Sequence, residues 1–415
     1  MNRYFLSLIL SITILWGCQQ RPEISQWRGP GRTGVYNETN LLKQWPESGP
    51  EMLWVMDSLP KGNSSVSVYD DMIYLTGMVD TMDVLIAADM KGNLKWTKPY
   101  GRAWNASFPE SRCTPTIEDG KIFLTSGLGD VACLEAGTGK VVWQIKASEK
   151  FEGIFGDWGI SESPLLYGEF LIFTPGGPKT TMVALDKKTG ETAWMSESLN
   201  DEPAYVSPLL VEMNGRYIVV SVTKLFVFGV DAETGELLWK FDYGKYKHPD
   251  YWNIQTNTPV FADGNIFITN GYNHKSVLLK LAEDASAVEL QYVDSILDVH
   301  HGGAVRLGNY IYGANWEHNR MGRWVCLDWT TGKVTYETEW YNKGSIISAE
   351  GMLYCYDEKT GHVGLVKANP EKFEVISEFE ITHGTGPHWS HPVIKDGILY
   401  IRHTDALMAF NIKAN

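Results

Sequence analysis

Apolar and polar positions alternate along this chain in short runs, and the runs are closed by a turn whose composition recurs. Residues 182–185 are apolar, Asp186-Lys187-Lys188-Thr189-Gly190 follows, and a second strand-like run carries Trp194. Asp and Thr side chains hydrogen-bond neighbouring backbone and glycine accepts a positive φ, so the pattern predicts a β-hairpin. The same order returns from Glu135 to Trp143, Asp231 to Trp239 and Asp328 to Tyr336, with acidic residue and aromatic eight apart. A shorter copy runs from Asp89 to Trp96, and three weaker ones keep only the strand, near Lys280, Lys367 and Asn411.

Successive copies lie 39 to 51 residues apart, which is room for about four strands each. A lone four-stranded sheet cannot bury both faces, so this period predicts blades stacked in a ring. Eight copies predict an all-β, eight-bladed β-propeller. The last copy stops at Asn411 without an aromatic outer strand, whereas residues 51–55, with Trp54, supply one near the other end. The terminal strands are therefore expected to share a blade, pairing near Trp54 and Phe410 and leaving no open edge.

The first residues read differently. Arg3 is followed by an apolar run from Phe5 to Trp16, too short to span a bilayer permanently, and the run ends in Leu15-Trp16-Gly17-Cys18. This predicts a signal peptide over 1–17, and the ending resembles a bacterial lipobox, with Cys18 as the lipidated first residue of the exported chain. Residues 18–50 are then an anchor, tether and lead-in, and 51–415 the propeller. Removing Arg3 leaves 35 basic against 50 acidic residues, so the formal charge moves from −14 to −15. Such a body does not attract nucleic acid or anionic lipid, and the membrane is reached only through Cys18. The other cysteines, at 113, 133, 326 and 355, lie in apolar strand-like contexts without the spacing of a disulfide scaffold. No metal-binding motif is present in the spacing of His, Cys or acidic residues.

The repeated Leu-Asp-x-x-Thr-Gly-x-x-x-Trp, together with Gln26-Trp27-Arg28-Gly29-Pro30, resembles the PQQ-like (pyrroloquinoline quinone-like) β-propeller repeat proteins over nearly all of the exported chain. Residues 158–164, Thr174-Pro175-Gly176-Gly177 and His300-His301-Gly302-Gly303 look like further habits of that family. The resemblance implies the eight-bladed fold, but the family holds both quinone-dependent dehydrogenases and protein-assembly scaffolds, so fold leaves function open. The dehydrogenases carry adjacent cysteines and a Glu, Asn and Asp set for Ca²⁺. No Cys-Cys pair exists here and no such set aligns, so PQQ with Ca²⁺ has no matching residues to support it. The scaffolds include a lipidated eight-bladed propeller of the outer-membrane β-barrel assembly machine. That likeness is one of architecture, since residues 27–34 and the His-His-Gly-Gly segment set this chain in a different subgroup; the outer membrane, with the body facing the periplasm, is expected because Gln19, with no acidic pair close behind it, carries no cue for surface export.

Loops leading into the innermost strands of a propeller gather round one mouth of its channel. The residues just before those strands are Arg112, Trp158, Glu162, Tyr205, Tyr251, Trp252, Asn253, His300, His301, Lys343, His388, Trp389 and His391. Loops between second and third strands add Asn273, His274, Trp316, His318 and Arg320. Among these, His300, His301, Glu162, Arg112 and His391 are the candidates for chemistry, expected to converge at one rim. Trp158, Tyr205, Tyr251, Trp252, Asn273, Trp316, His388 and Trp389 are the candidates for holding a ligand. In His300-His301-Gly302-Gly303 the glycines let the backbone turn closely and present an imidazole, which near neutral pH serves as base, donor or ligand. The alternative roles are a strand cap for one imidazole and, for Glu162, a bond to its own loop backbone. His388-x-x-His391 does not place both rings on one face of a strand, so no metal is expected there. A rim of rings with scattered charges suits sugars and other flat-faced polar ligands. Two functions remain open: a binding or scaffold module for a glycan or partner protein, and an enzyme acting on a carbohydrate or alcohol.

Overall fold

The computed structural model of the protein describes residues 24–414; the expected signal peptide and Cys18 lie outside them. Among the described residues the strands form eight antiparallel sheets, each of four consecutive strands save where the termini join in. Blade 1 consists of Ser67–Tyr69, Met72–Val79, Met82–Asp89 and Leu94–Arg102. Blades 2 to 7 repeat this order, their inner strands beginning at Thr116, Leu165, Leu209, Val260, Val305 and Gly344. Blade 8 takes Val393–Lys395, Ile398–His403 and Ala406–Asn411 from one end of the chain and Glu51–Met56 from the other. Met52 pairs with Phe410 and Trp54 with Ala409, so the ring closes where the repeat falls short. The weak copies at Lys280, Lys367 and Asn411 are the third strands of blades 5, 7 and 8.

The recurring turn has two separate physical jobs. Asp186 Oδ1 accepts the backbone N–H of Lys188 and Thr189 and the Thr189 hydroxyl, at 2.8 to 3.1 Å. Asp231 and Asp328 repeat the same three bonds. Gly190, at φ 72°, also lies under the Trp143 ring of the preceding blade, which a Cβ there would meet at 2.8 Å. Trp143 Nε1 donates to Lys187 O at 2.9 Å. Trp96 lies on Gly139, Trp194 on Gly235 and Trp54 on Gly92 in the same way, blade after blade. The motif therefore couples a hairpin to its neighbour, and its tryptophans are wedges. The apolar clusters follow suit: Phe123, Val131 and Trp143 of blade 2 pack on Leu171, Phe173 and Val183 of blade 3.

Residues 24–36, read from sequence as part of a lead-in, fill the channel. Ser25 bridges Ile117 near the hairpin-turn end of the blade 2 inner strand. The chain climbs to a 3₁₀ turn at Pro30–Arg32 and descends with Val35–Tyr36 parallel to the inner strand of blade 7. Two buried guanidinium groups anchor this plug. Arg32 donates to the carbonyls of Ser163, Pro164 and Pro208 at 2.6 to 3.0 Å. Arg28 donates to Ala304 O at 2.7 Å, Ile346 O at 3.2 Å and His391 Nδ1 at 3.0 Å. These are the starts of inner strands, so the plug is the floor of the loop-side mouth.

Candidate ligand site at the loop mouth

His300 and His301 sit in the loop before the inner strand of blade 6, and the two glycines after them are dictated by what lies behind. A Cβ at Gly302 would meet Gly344 O at 1.8 Å, and one at Gly303, φ 72°, would meet the Arg28 guanidinium at 2.1 Å. Only glycine lets this loop lie against blade 7 and the plug together. Asn257 Nδ2 donates to His300 O at 2.9 Å. His391 Nδ1 receives the Arg28 proton, so its Nε2 bears hydrogen and donates to His301 O at 3.0 Å. His391 thus positions the pair with both ring nitrogens already engaged.

The two imidazoles lie side by side, ring centres 4.1 Å apart. His300 Nε2 meets Tyr272 Oη at 2.9 Å, while its Nδ1 is buried without a partner. His301 Nε2 lies 3.5 Å from Glu358 Oε2 and keeps 25% of its side chain exposed. The other Glu358 oxygen, Oε1, is 2.5 Å from Lys343 Nζ. Lys343, almost wholly buried, also donates to His318 O at 3.2 Å. Burial first, then the charge of Lys343, pushes His301 down to about 3, and burial with His301 and Lys343 beside it drives His300 well below the usual imidazole range. Burial lifts Glu358 to about 7 against the pull of Lys343. At neutral pH both rings are therefore neutral, with lone pairs available, beside a carboxyl group near its titration point.

Glu358 was not among the sequence candidates, although a signal for it exists. Asp357-Glu358-Lys359-Thr360-Gly361 is one more copy of the recurring turn, with Asp357 Oδ2 accepting Thr360 N at 2.6 Å and Gly361 N at 3.1 Å. It comes far too early for the repeat period because it joins the second and third strands of blade 7, not the third and fourth. The turn is thereby moved to the mouth.

The other candidates divide. Glu162 is buried, accepts Thr174 N at 3.1 Å through each oxygen, and is pushed to about 8 by burial, opposed by those bonds and by Arg32. Arg112 donates to Trp158 O and Phe108 O, both at 2.7 Å. No hydrogen bond or ion pair among the described residues joins Glu162 or Arg112 to the histidine pair, whereas His391 bonds directly to the His301 backbone. His388 is buried on Tyr356 Oη at 2.6 Å, stacked 3.6 Å from His403. Asn273 has its N–H on Asp298 at 2.9 Å.

The rings form a continuous arc. It runs Phe108, Trp389, His301, His300, Tyr272, Trp316, Tyr251, each centre within 5.8 Å of the next. Beside it Trp252 packs on Trp158, and Trp158 on Tyr205, at 5.4 and 5.6 Å. Trp252 and Phe108 expose 56% and 54% of their surface, far more than core wedges do. Under Trp252 is a cavity of about 140 Å³, bordered by Asp157, Glu202, Tyr205, Lys224 and Gln255. Both polar atoms of the buried Gln255 side chain lack a partner in the protein.

These features sit on a known frame. The family model described as outer membrane protein assembly factor BamB, a PQQ-type model, matches residues 81–338. The chain belongs to that family. A quinoprotein alcohol dehydrogenase, PedH, of Pseudomonas putida is 30% identical over 160 residues, 35% of this chain and 26% of that protein. The BamB of Kangiella koreensis is 22% identical over 231 residues, 54% of this chain and 52% of that protein. The chain thus spans about half or less of the length of these relatives. The crystal structure of BamB from Moraxella catarrhalis superposes with a TM-score of 0.60 at 14% identity, covering 87% of this chain and 99% of that one, which shows the shared fold.

The Ca²⁺ that accompanies the quinone in the dehydrogenase branch does not fit the histidine cluster. Calcium takes six to eight oxygen ligands, whereas the donors that converge here are two imidazoles and one carboxylate already held by Lys343. Cys113, Cys133, Cys326 and Cys355 are buried and in no disulfide.

Proposed function

We propose that this BamB-family propeller is an exported binding module whose loop mouth takes a flat-faced polar ligand of the carbohydrate class. The observation that carries the reading is the unbroken arc of rings from Phe108 to Tyr251, with His300 and His301 among its members and the Glu358–Lys343 pair beside them. Ring faces stack on the C–H faces of sugars, and neutral imidazoles and a carboxyl group match their hydroxyls. The test is a thermal-shift screen with neutral and uronic-acid oligosaccharides, since a ligand that binds only the folded state raises Tm. Trp252→Ala should leave Tm unchanged without ligand and weaken a positive oligosaccharide about tenfold. No shift across both panels would sink the reading.

Family membership favours a second occupant, an outer-membrane protein docking on the same face, as the name assembly factor attaches to its relatives. Photo-crosslinking from position 252 in cells separates the two: a single protein adduct without any oligosaccharide shift selects the partner.

The module is proposed to be held at the outer membrane by lipid on Cys18, facing the periplasm. Ser25 docks at the hairpin-turn end of the channel, and the seven steps along the chain from Cys18 to Ser25 reach at most about 25 Å. That arrangement turns the hairpin face toward the membrane and the loop mouth away from it. Cys18→Ser should move the protein from membrane to soluble fractions; retention in the membrane would contradict the anchor.

A further inference from the structure

We infer that His300, His301 and Glu358 form a binding site for a divalent cation of the zinc class. Each offers one donor atom, and the three atoms lie within 4.8 Å of one another. His301 Nε2 and Glu358 Oε2 are already 3.5 Å apart. Donors round a tetrahedral zinc stand roughly 3.3 Å apart, so rotation of the rings about their side-chain torsions closes the set. Two nitrogens and one oxygen suit zinc, copper or nickel and disfavour the hard cations calcium and magnesium.

The surroundings leave the right atoms free. His300 has its Nε2 on Tyr272 Oη and its Nδ1 buried with no partner, which is an otherwise costly vacancy. A metal on Nδ1 supplies that partner and leaves Nε2–H to donate to the Tyr272 hydroxyl, as a metal-bound histidine donates to its outer partner. Glu358 has Oε1 on Lys343 and Oε2 turned to His301, so one carboxylate serves both cation and metal. His391 holds the His301 backbone from behind, itself fixed by Arg28. Both imidazoles are neutral at pH 7, the ligating form. Lys343 adds a positive charge nearby, which lowers the affinity below that of a closed structural zinc site and gives the open coordination position to an anionic oxygen. The remaining exposure of His301 places that position at the mouth.

This inference stands apart from the carbohydrate reading, because its probe is the metal alone. Untagged protein lacking residues 1–18 is titrated with Zn²⁺ by calorimetry at pH 7. The expected result is one equivalent bound, a tenfold or greater loss of affinity in His301→Ala and in Glu358→Gln, no change on His248→Ala, a partly exposed imidazole against Tyr251 and outside the cluster, and no competition from Ca²⁺. Should either ligand variant fail to fold, Co²⁺ on the wild-type chain decides: visible bands of a four- or five-coordinate nitrogen-and-oxygen site support the assignment. Absence of stoichiometric Zn²⁺ binding, binding that survives His301→Ala, or a six-coordinate Co²⁺ spectrum overturns it.

Discussion

Glu162 and Glu358 stand four blades apart in the ring, on opposite sides of one mouth, both buried and both protonated more readily than a free carboxyl group. Their neighbours make them different things. Glu162 spends both oxygens on one backbone N–H, and the nearby Arg32 spends its donors on three strand carbonyls. Glu358 keeps one oxygen turned toward His301, in a group that still has an unpartnered nitrogen. A buried polar group whose bonds are all internal ties the scaffold together; one with a bond to spare is available to a ligand. The difference cannot be judged from residue type, burial or pKa, which the two carboxyls share.

The largest expected effect lies on the closed side. Arg32→Ala strands the carbonyls of Ser163, Pro164 and Pro208 and should cost about 3 kcal/mol or more in urea unfolding. A loss under about 1 kcal/mol would mean that the plug does not brace the ring.

Glu162→Gln sharpens the contrast through pH. The folded group, at about 8, holds its proton between pH 4.5 and 8, where the unfolded chain has released it. The folded state binds more protons in that window, so the wild type loses stability as pH rises through it. Glutamine has no such proton and can still accept from Thr174 N. The variant should therefore gain on the wild type with rising pH, by several kcal/mol at pH 8, with ligand binding unchanged. Parallel unfolding curves at pH 5 and pH 8 would show that Glu162 is ionised in the folded protein.

Tyr272→Phe is the smallest change, on the open side. Losing the hydroxyl against His300 Nε2 should cost about 1 kcal/mol or less, while oligosaccharide affinity drops a few fold because the ring is no longer oriented. Equal affinity in both proteins would separate His300 from the ligand.

The contrast also marks what a sequence can disclose. The Asp186 to Gly190 turn makes its own hydrogen bonds, and its glycine carries the preceding tryptophan, so every copy advertises fold and blade interface within a dozen residues. Ring closure was equally legible, since Trp54 stands where the last repeat lacks its aromatic. The plug was not: Arg28 and Arg32 are anchored by carbonyls from blades 3, 4, 6 and 7, and backbone carbonyls leave no trace in residue types. Glu358 was hidden by the repeat itself, because its turn follows the common pattern but joins a different strand pair. His300 and His301 were legible through Gly302 and Gly303, whose reason is the close approach of Gly344 and Arg28.

The central claim, that ligand chemistry belongs to the open side of the mouth, is tested most directly by calorimetric affinities for the oligosaccharide with the largest thermal shift, measured on His301→Gln and Glu162→Gln side by side. The account predicts at least tenfold weaker binding for His301→Gln and wild-type affinity for Glu162→Gln, with both proteins folded at the assay temperature. Undiminished binding by His301→Gln, or an equal loss in the two variants, would contradict it.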